Sequence, residues 1–357
     1  MNQHCSPLPE LPPELGRLST LPRVRLLETA TGLEPMPNLA AALDRPDLLV
    51  KRDDCSGLAF GGNKVRQLEF YFGAARAANA DTVLITGAVQ SNFVRLAAAA
   101  SRKTGMDCHI QLEERVDKEN PYYRTSGNVL LDHLLGATVH SFPVGEDEAA
   151  ADGRLEEIAG ELSKAGCRPY VIHLGPGHPP LGALGYVVAA YEMLCQINEA
   201  DLDTAAIVVA SGSGNTHAGL LFGLRALGCD IPVTGICVRR PAEAQRPRIA
   251  GHCRKIAELL QVAQPVNDAD IRLNDALLAP GYGYASDEVM QAILTGARTE
   301  ALMLDPTYTG KAFAGYLQEV RADAADGAMI FVHTGGTPGI FAYETELTEA
   351  FSRFDAT

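Results

Sequence analysis

Short apolar runs rich in β-branched residues recur along this chain, and helical patterns separate several of them. We predict strands at 48–51, 82–86, 108–112, 137–140, 170–173, 206–210, 233–238 and 329–333. Alanine- and leucine-rich stretches with helical spacing lie at 95–103, 129–135 and 155–164. Strands that alternate with helices in this way indicate parallel sheets that are covered by helices on both faces.

A loop rich in proline and glycine, at 175–180, interrupts this alternation. The predicted strands fit two sheets better than one, so the fold class that we predict is α/β. Each of its two lobes would contain an open, mostly parallel sheet with helices on both faces. We expect a larger domain at 1–66 and 177–357, and a smaller one at 67–176. Residues 1–21, whose prolines disfavour regular structure, would form an N-terminal arm.

The composition is that of an ordinary globular protein, since 46% of the 357 residues are hydrophobic. A net charge of −14 argues against broad binding to nucleic acid or to anionic membranes, so a small-molecule ligand is the better expectation. Neither a signal peptide nor a bilayer-spanning stretch is recognisable, which predicts a cytoplasmic protein. The 8 cysteines lack the spacing of metal sites, and we predict no metal.

The turn Gly61-Gly62-Asn63-Lys64 precedes a helical pattern that contains Leu68, Phe70 and Phe72. Paired glycines allow positive φ values or a close approach of the backbone to a ligand. A lysine that is partly desolvated at the start of a helix loses proton affinity, so it becomes a nucleophile that can form a Schiff base. Taken alone, the same four residues also fit an ordinary surface turn.

A second glycine-rich turn spans 211–219 and lies between the strand at 206–210 and a helix that ends near Gly228. Its backbone N–H groups, its hydroxyls and the helix dipole would form an anion cradle that suits a phosphate. The turn has neither the Gly-Lys-Ser/Thr of a P-loop nor the Gly-x-Gly-x-x-Gly of a dinucleotide fold. A purely structural strand-to-helix turn is the alternative.

A third turn, 87–95, again follows a strand and opens an alanine-rich helix. Ser91 and Asn92 could cap that helix and do nothing more. The free N–H groups of the first helical turn could equally hold a carboxylate. A reactive lysine, a phosphate cradle and a second anion site together describe pyridoxal 5′-phosphate chemistry on an amino acid.

Several segments resemble the D-cysteine desulfhydrase and 1-aminocyclopropane-1-carboxylate deaminase family. The resemblance covers about 48–343, and the segments that carry it are Lys51-Arg52-Asp53-Asp54, Gly61-Gly62-Asn63-Lys64-Val65-Arg66, Gln90-Ser91-Asn92, Leu181-Gly182-Ala183-Leu184-Gly185-Tyr186, Ala279-Pro280-Gly281-Tyr282-Gly283, Leu304-Asp305-Pro306-Thr307-Tyr308-Thr309-Gly310-Lys311 and His333-Thr334-Gly335-Gly336. It implies the tryptophan-synthase β-like fold (fold type II), a homodimer, and a cofactor that is bound mainly by the larger domain.

The resemblance also implies a role for each site residue. Lys64 would hold pyridoxal 5′-phosphate through a Schiff base, Asn92 would face the ring hydroxyl, and Thr334 would face the ring nitrogen. The phosphate would bind at Ser211, Gly212, Ser213, Gly214, Asn215 and Thr216, chiefly at 213–216. Ser91 would bind the substrate carboxylate or relay protons beside it, and Tyr282 and Tyr308 would project over the substrate as catalytic residues.

Two departures from the family pattern fall where substrate contacts are expected. Phe93 stands where the family commonly has His or Gln, and 175–179 replaces a Gly-Gly-Ser-Asn type loop. Phe93 removes a polar group and adds bulk, unless it packs in the helix core away from the ligand. Gly177 and His178 would lie against the substrate, and His178 would restore a polar contact from the other side, although it also fits a solvated loop residue.

The resemblance implies a lyase that removes the Cα proton and expels a Cβ leaving group, giving pyruvate and ammonia. D-cysteine, which releases sulfide, is the first substrate expected, and L-cysteate, which releases sulfite, is the second. Opening of a cyclopropane ring is less favoured, because such deaminases are expected to have Glu where this chain has Thr309. A protein that binds the cofactor without catalysis is the alternative from a different class, and the retained lysine, tyrosines and Ser-Asn pair argue against it.

Overall fold

The computed structural model describes residues 10–145, 147–175, 177–322 and 327–354. The strands in these residues are β1 (Leu33–Pro35), β2 (Leu48–Lys51), β3 (Thr82–Ala88), β4 (Asp107–Glu113), β5 (Thr138–Phe142), β6 (Pro169–Ile172), β7 (Thr204–Ser211), β8 (Val233–Cys237), β9 (Arg272–Asn274) and β10 (Ala328–Val332). The α-helices are α1 (Pro37–Leu43), α2 (Lys64–Ala77), α3 (Asn92–Thr104), α4 (Tyr122–Thr125), α5 (Gly127–Leu134), α6 (Glu148–Lys164), α7 (Leu181–Glu199), α8 (Asn215–Ala226), α9 (Ala242–Leu260), α10 (Asp287–Glu300), α11 (Thr309–Ala322) and α12 (Glu344–Phe354).

The strands form two sheets, which confirms the predicted fold class. The larger sheet has the order β1-β2-β10-β7-β8-β9, and the smaller has the order β5-β4-β3-β6. All neighbouring strands are parallel except β1, which pairs antiparallel with β2. The chain leaves the smaller sheet at β6 and enters the larger one at β7, so the proline- and glycine-rich loop lies in the connection between them. The domain boundaries proposed from the sequence stay a prediction.

The larger sheet is buried on both faces, and this explains why its strands are continuous apolar runs. In β7, Val208 packs in the core that contains α3 and α11, whereas Ile207 and Val209 pack in the core that contains α7 and α8. Phe331 and Ile330 of β10 divide between the two cores in the same way. A strand buried on both faces needs apolar residues at successive positions, so the sequence lacks the alternation of a half-exposed strand.

Each apolar run predicted to be a strand is one, with ends that differ by one or two residues. The prediction for the N-terminal arm is wrong in part, because Pro13–Thr20 forms a 3₁₀ helix with Leu15 and Leu18 buried. Proline fits the first positions of a helix, where its missing N–H group has no partner to lose. Residues 1–9 of the arm lie outside the described residues. The sequence reading also missed β1 and β9, which contain three residues each.

No helix in the described part of the chain is both long enough and apolar enough to cross a membrane.

Candidate active site

A pocket lies where the carboxyl ends of strands from both sheets face each other. The smaller sheet contributes residues that follow β3 and β4, and the larger sheet contributes residues that follow β7 and β10. Ligands of open parallel sheets bind beyond the carboxyl ends of strands, because the turns into the next helices gather there. The pocket brings together eleven of the residues predicted from sequence: Lys64, Ser91, Asn92, Phe93, Gly212, Ser213, Gly214, Thr216, Tyr282, Tyr308 and Thr334.

Lys64 is the first residue of α2, and two backbone segments in close contact hold it there. The Asn63 N–H group donates to the carbonyl oxygen of Thr334 over 3.0 Å. A Cβ atom on Gly335 would lie 2.6 Å from the Cα atom of Gly62, and both glycines have positive φ. Only glycine tolerates this combination of φ and close approach. The paired glycines therefore let the turn before Lys64 pack against the segment after β10.

The amine of Lys64 lies in an apolar environment. Its Nζ atom is 5.1 Å from the centre of the Phe93 ring, and no ion pair or hydrogen bond to it exists among the described residues. Burial lowers the pKa of Lys64 to about 8. A lysine with this pKa is partly unprotonated near neutral pH, so it can act as a nucleophile or as a base.

The turn between β7 and α8 forms a cradle at the pocket floor. Gly214 has φ of 101°, and a Cβ atom there would come 2.8 Å from the His252 ring. Arg248 Nε and His252 Nε2 hold the Ser213 carbonyl oxygen at 2.8 and 3.0 Å. These donors satisfy the Ser213 carbonyl oxygen, while the first N–H groups of α8 lack intrahelical acceptors. The arrangement suits an anion such as a phosphate.

The hydroxyl of Thr216 couples the cradle to the Lys64 turn. Its oxygen accepts hydrogen bonds from Asn63 Nδ2 and Gln67 Nε2, each at 2.9 Å. A hydroxyl has two acceptor sites and one donor, and both acceptor sites are used. The Thr216 O–H group is therefore left to donate to an anion in the pocket.

Two residues of the predicted cradle do not line the pocket. Ser211 Oγ accepts from Gln245 Nε2 at 3.0 Å and lies 3.2 Å from His217 Nδ1, in the buried layer behind the cradle. Asn215 is also buried, and its side chain bonds to Tyr71. Both residues support the turn from behind, which a sequence pattern of Ser, Gly and Asn does not distinguish from ligand contact.

Ser91 and Asn92 start α3 at the pocket wall. Ser91 Oγ accepts from the N–H groups of Phe93 and Val94 over 3.2 and 3.4 Å, so it is a helix cap as well as a lining residue. Asn92 Oδ1 accepts from Asn128 Nδ2 at 3.0 Å, which fixes the orientation of its amide. The amide nitrogen of Asn92 is thereby free to face the pocket.

Tyr282 and Tyr308 form a pair on the opposite wall. Their hydroxyls are hydrogen-bonded to each other, and their rings meet edge to face with centres 5.8 Å apart. Burial raises the pKa of both phenols, so both hydroxyls stay protonated near neutral pH. Lys311 Nζ donates to the carbonyls of Leu278 and Gly281 at 2.8 and 2.7 Å, which anchors the segment that presents Tyr282.

The two residues that depart from the family pattern have different locations. Phe93 is almost fully buried, packs 6.1 Å from the ring of Tyr71, and still lines the pocket beside Lys64. His178 is exposed and stacks on His173 outside the pocket. Gly177 does not line the pocket either, and Pro176 lies outside the described residues.

The sequence contains no signal for six charged residues of the pocket lining: Glu113, Arg115, Glu148, Asp152, Arg239 and Arg248. We call the part of the lining formed by Glu148, Asp152, Arg239 and Arg248 the pocket mouth. Glu148, at the start of α6, pairs with Arg239 at 2.8 Å and with Arg248 at 3.2 Å. These pairs join a helix of the smaller sheet to segments of the larger one. Their spacing along the chain is 91 and 100 residues, so no local pattern could reveal them.

Other motif residues form a buried ionic network behind the Lys64 turn and do not line the pocket. Arg66 donates to Asp53 Oδ1 at 2.9 Å and to Glu192 Oε1 at 2.8 Å, and Lys51 Nζ reaches Glu192 at 2.6 Å. The Tyr186 hydroxyl also donates to Asp53. The charges of Arg66 and Lys51 outweigh the effect of burial and lower the pKa of Asp53 to about 2.

Comparison with known proteins gives consistent matches over most of the chain. The sequence model of a family described as "Pyridoxal-phosphate dependent enzyme" matches residues 24–335. A protein named D-cysteine desulfhydrase from Salmonella typhi is 40% identical over 331 residues, which is 92% of this chain and 98% of the relative. The protein of the same name from Salmonella choleraesuis strain SC-B67 has the same identity and coverage.

Solved structures match in the same way. The structure described as an ACC deaminase homologue has a TM-score of 0.84 and 36% identity, and the match covers 96% of this chain and 100% of that one. The fungal L-serine ammonia-lyase from Rhizomucor miehei has a TM-score of 0.64 and 18% identity over 92% of this chain and all of its own, which shows a shared fold.

Proposed function

This chain belongs to the family of pyridoxal-phosphate-dependent enzymes, and we propose that it is a β-eliminating lyase whose substrate is D-cysteine. The Cα–H and Cβ–S bonds break, sulfide leaves, and water replaces ammonia to give pyruvate. The observation that carries this proposal is the desolvated amine of Lys64, which shares one pocket with an anion cradle. The identity of 40% to proteins named D-cysteine desulfhydrase supports the substrate.

The residues of the pocket fit the cofactor. Lys64 would hold it through a Schiff base, the cradle at Gly212, Ser213, Gly214 and Thr216 would hold its phosphate, and Asn92 and Thr334 would face the ring. When bound, pyridoxal phosphate supplies the electron sink for a carbanion at Cα. The Thr216 O–H group, whose oxygen already accepts twice, matches the donor that a phosphate oxygen requires.

The remaining groups of the pocket would position the substrate and move its protons. At the N-terminus of α3, Ser91 Oγ already accepts from the N–H groups of Phe93 and Val94, so the Asn92 N–H group and the Ser91 hydroxyl would donate to the substrate carboxylate. Lys64 would remove the Cα proton, because burial holds its pKa at about 8. The hydrogen-bonded hydroxyls of Tyr282 and Tyr308, which stay protonated, would donate a proton to the departing sulfur.

L-cysteate is the second candidate, because guanidinium groups lie in the pocket lining. Arg115 and Arg239 could attract the sulfonate, although Arg115 already forms a two-point pair with Glu113 at 2.8 Å. Ring-opening deamination has less support, since Thr309 is buried and bonded to Asp305. Purified enzyme incubated with D-cysteine, L-cysteine, L-cysteate or 1-aminocyclopropane-1-carboxylate should release ammonia fastest from D-cysteine, together with pyruvate and sulfide. Faster release of sulfite from L-cysteate would contradict the first assignment.

Replacing Ser213 and Thr216 together by Ala should weaken cofactor binding more than it slows turnover of the loaded enzyme. A hydrogen bond to a charged group is worth roughly 1.5–3 kcal/mol, so we expect ~10-fold or greater loss of affinity per hydroxyl that contacts phosphate. Equilibrium dialysis against pyridoxal phosphate measures this. Ser211→Ala in the same turn is the matched control, because Ser211 lies behind the pocket. An equal loss in the control would move the phosphate site away from the cradle.

Phe93→His should shift the ratio of kcat/KM from D-cysteine toward L-cysteate by ~10-fold, which corresponds to about 1.4 kcal/mol. The imidazole adds a hydrogen-bond donor beside Lys64, and a sulfonate accepts hydrogen bonds more readily than a thiol does. The matched control is His178→Ala, which should leave this ratio unchanged because His178 lies outside the pocket. If Phe93→His slows both substrates equally, Phe93 does not determine specificity.

We also propose that the enzyme is a cytoplasmic homodimer. Four large apolar side chains lie exposed on neighbouring elements: Phe60, Leu130, Leu134 and Phe341, with exposed fractions of 56–78%. Helix α5 packs against the 3₁₀ helix Thr337–Tyr343, which brings three of them to one side of the molecule. Apolar groups gathered on one surface are typical of an interface. Light scattering on the purified protein would detect a monomer if this proposal is wrong.

A further inference from the structure

A cluster of imidazole and carboxylate groups lies beside the pocket mouth. Asp152 and Glu156 are one turn apart on α6, His173 follows β6, and His178 precedes α7. One ligand atom from each of Asp152, His173 and His178 lies within 4.8 Å of the others. The sequence reading found no metal site because these residues come from separate segments, and only folding brings them together.

His173 is held in the way that metal-binding histidines usually are. Its Nε2 atom lies 2.8 Å from Glu156 Oε1, so the carboxylate accepts the Nε2–H hydrogen bond and fixes this tautomer. Its Nδ1 atom is hidden from solvent and has no hydrogen-bond partner among the described residues. Asp152 Oδ1 lies 3.5 Å from that nitrogen. Nδ1 therefore faces a carboxylate oxygen across a gap that suits either a shared proton or a shared metal ion.

We propose that Asp152, His173 and His178 bind a divalent transition-metal ion of the zinc class, with Glu156 as the carboxylate that orients His173. Ligand atoms bound at ~2.0–2.2 Å to a tetrahedral ion lie about 3.4 Å apart, which agrees with the gap between His173 and Asp152. Imidazole nitrogens with a carboxylate oxygen are a donor set that suits Zn²⁺, Co²⁺ and Ni²⁺. A fourth position would remain for water.

His178 is the exposed member of the set. Its ring stacks on His173 with centres 3.8 Å apart and planes at 10°, and it is exposed, so it must turn to aim a nitrogen at the ion. Lys255 Nζ donates to the His178 carbonyl at 3.3 Å, which brings one positive charge near the site. The two carboxylates of α6 offset that charge.

The ion would connect α6 to the segment between the two sheets. Asp152 and Gly175 also line the active-site pocket. Glu148, on the same helix as Asp152, pairs with Arg239 and Arg248, which follow β8 of the larger sheet. Fixing α6 to His173 and His178 would therefore stabilise one wall of the pocket mouth. This inference does not depend on which amino acid the enzyme cleaves.

Titration of the chelator-treated holoenzyme with Co²⁺ alone, without substrate, tests the site. We expect visible d–d bands that saturate at one ion per chain and that Zn²⁺ removes by competition. His178→Ala and Asp152→Asn should weaken Co²⁺ binding by at least ~10-fold, and Glu156→Gln by ~10–100-fold. His178 is exposed, so its substitution leaves the folded core intact.

His140→Ala is the matched control. His109 on β4 and His140 on β5 form a second imidazole pair in the same sheet, with Nδ1 of His109 3.0 Å from Nε2 of His140. It should bind Co²⁺ as the unmodified enzyme does. A higher thermal midpoint in the presence of Zn²⁺, seen in the unmodified protein and in His140→Ala but not in His178→Ala, would provide a second measurement. Unchanged Co²⁺ affinity in His178→Ala, or an equal loss in His140→Ala, would overturn the proposal.

Discussion

Lys64→Ala is expected to abolish the covalent attachment of pyridoxal phosphate and nearly all turnover. The amine would form the Schiff base and would also remove the Cα proton, and a positioned base alone contributes ~10²–10⁴-fold to a rate. The fall in kcat should therefore be at least that large. Borohydride reduction followed by peptide mapping measures the attachment, and pyruvate release measures the turnover.

The cofactor should remain weakly bound in this variant, because the cradle at 212–216 does not depend on the amine. Two other lysines of the family motifs provide the contrast. Lys311 Nζ is engaged with two carbonyls, and Lys51 Nζ is engaged with Glu192 behind the turn. A borohydride-stable adduct that persists in Lys64→Ala and maps to either of these lysines would show that the attachment site is wrong.

The fold was predictable from sequence because its strands are buried on both faces. Runs such as 206–210 are apolar at nearly every position, and this pattern differs clearly from that of the helices around them. The short strands β1 and β9 gave no such signal, since three residues cannot establish a period. The 3₁₀ helix in the arm was not predictable from its prolines, because a proline disfavours regular structure in a helix interior but is compatible with the first helical position, where Pro13 lies.

The site was predictable only where a short stretch of sequence contains the residues that form it. Glycine before Lys64 and the Ser-Gly turn before α8 are local patterns, and the structure brings both into one pocket. The mouth residues Glu148 and Arg248 lie 100 positions apart, so only the fold pairs them. The role of Arg66 was hidden for the same reason, because its partner Glu192 lies on another helix, 126 positions away.

The guanidinium of Arg66 supplies most of the positive charge that balances the buried carboxylates of Asp53 and Glu192. The three side chains are at most 2% exposed, and the guanidinium donates to both carboxylates. Lys51 is the other cation, and it contacts only Glu192 of the two acids. The Asp53 carbonyl also accepts from Gly62 N–H at 3.1 Å, so the network supports the turn that presents Lys64.

Arg66→Met should lower the free energy of unfolding by ~3–5 kcal/mol, because removing Arg66 leaves two buried carboxylates to share the single positive charge of Lys51. Methionine keeps much of the side-chain volume, so the loss reports on charge more than on a cavity. The midpoint of urea unfolding, compared at equal slope, measures this change. A loss below about 1 kcal/mol would mean that water or Lys51 compensates the acids without Arg66.

Arg102→Met is the matched control, since Arg102 and Asp107 form an exposed pair at 3.0 Å with 44% and 76% of the side chains accessible. Arg102→Met should lower the free energy of unfolding by at most ~1 kcal/mol.

The pH dependence of the free energy of unfolding gives a second test. The folded pKa of Asp53, about 2, is below its unfolded value near 3.9, so its contribution is complete above about pH 4 and disappears as pH falls toward 2. Arg66→Met should flatten the decline in stability across this window, whereas Arg102→Met should keep it. An identical acid profile in both variants would show that Arg66 does not lower the pKa of Asp53.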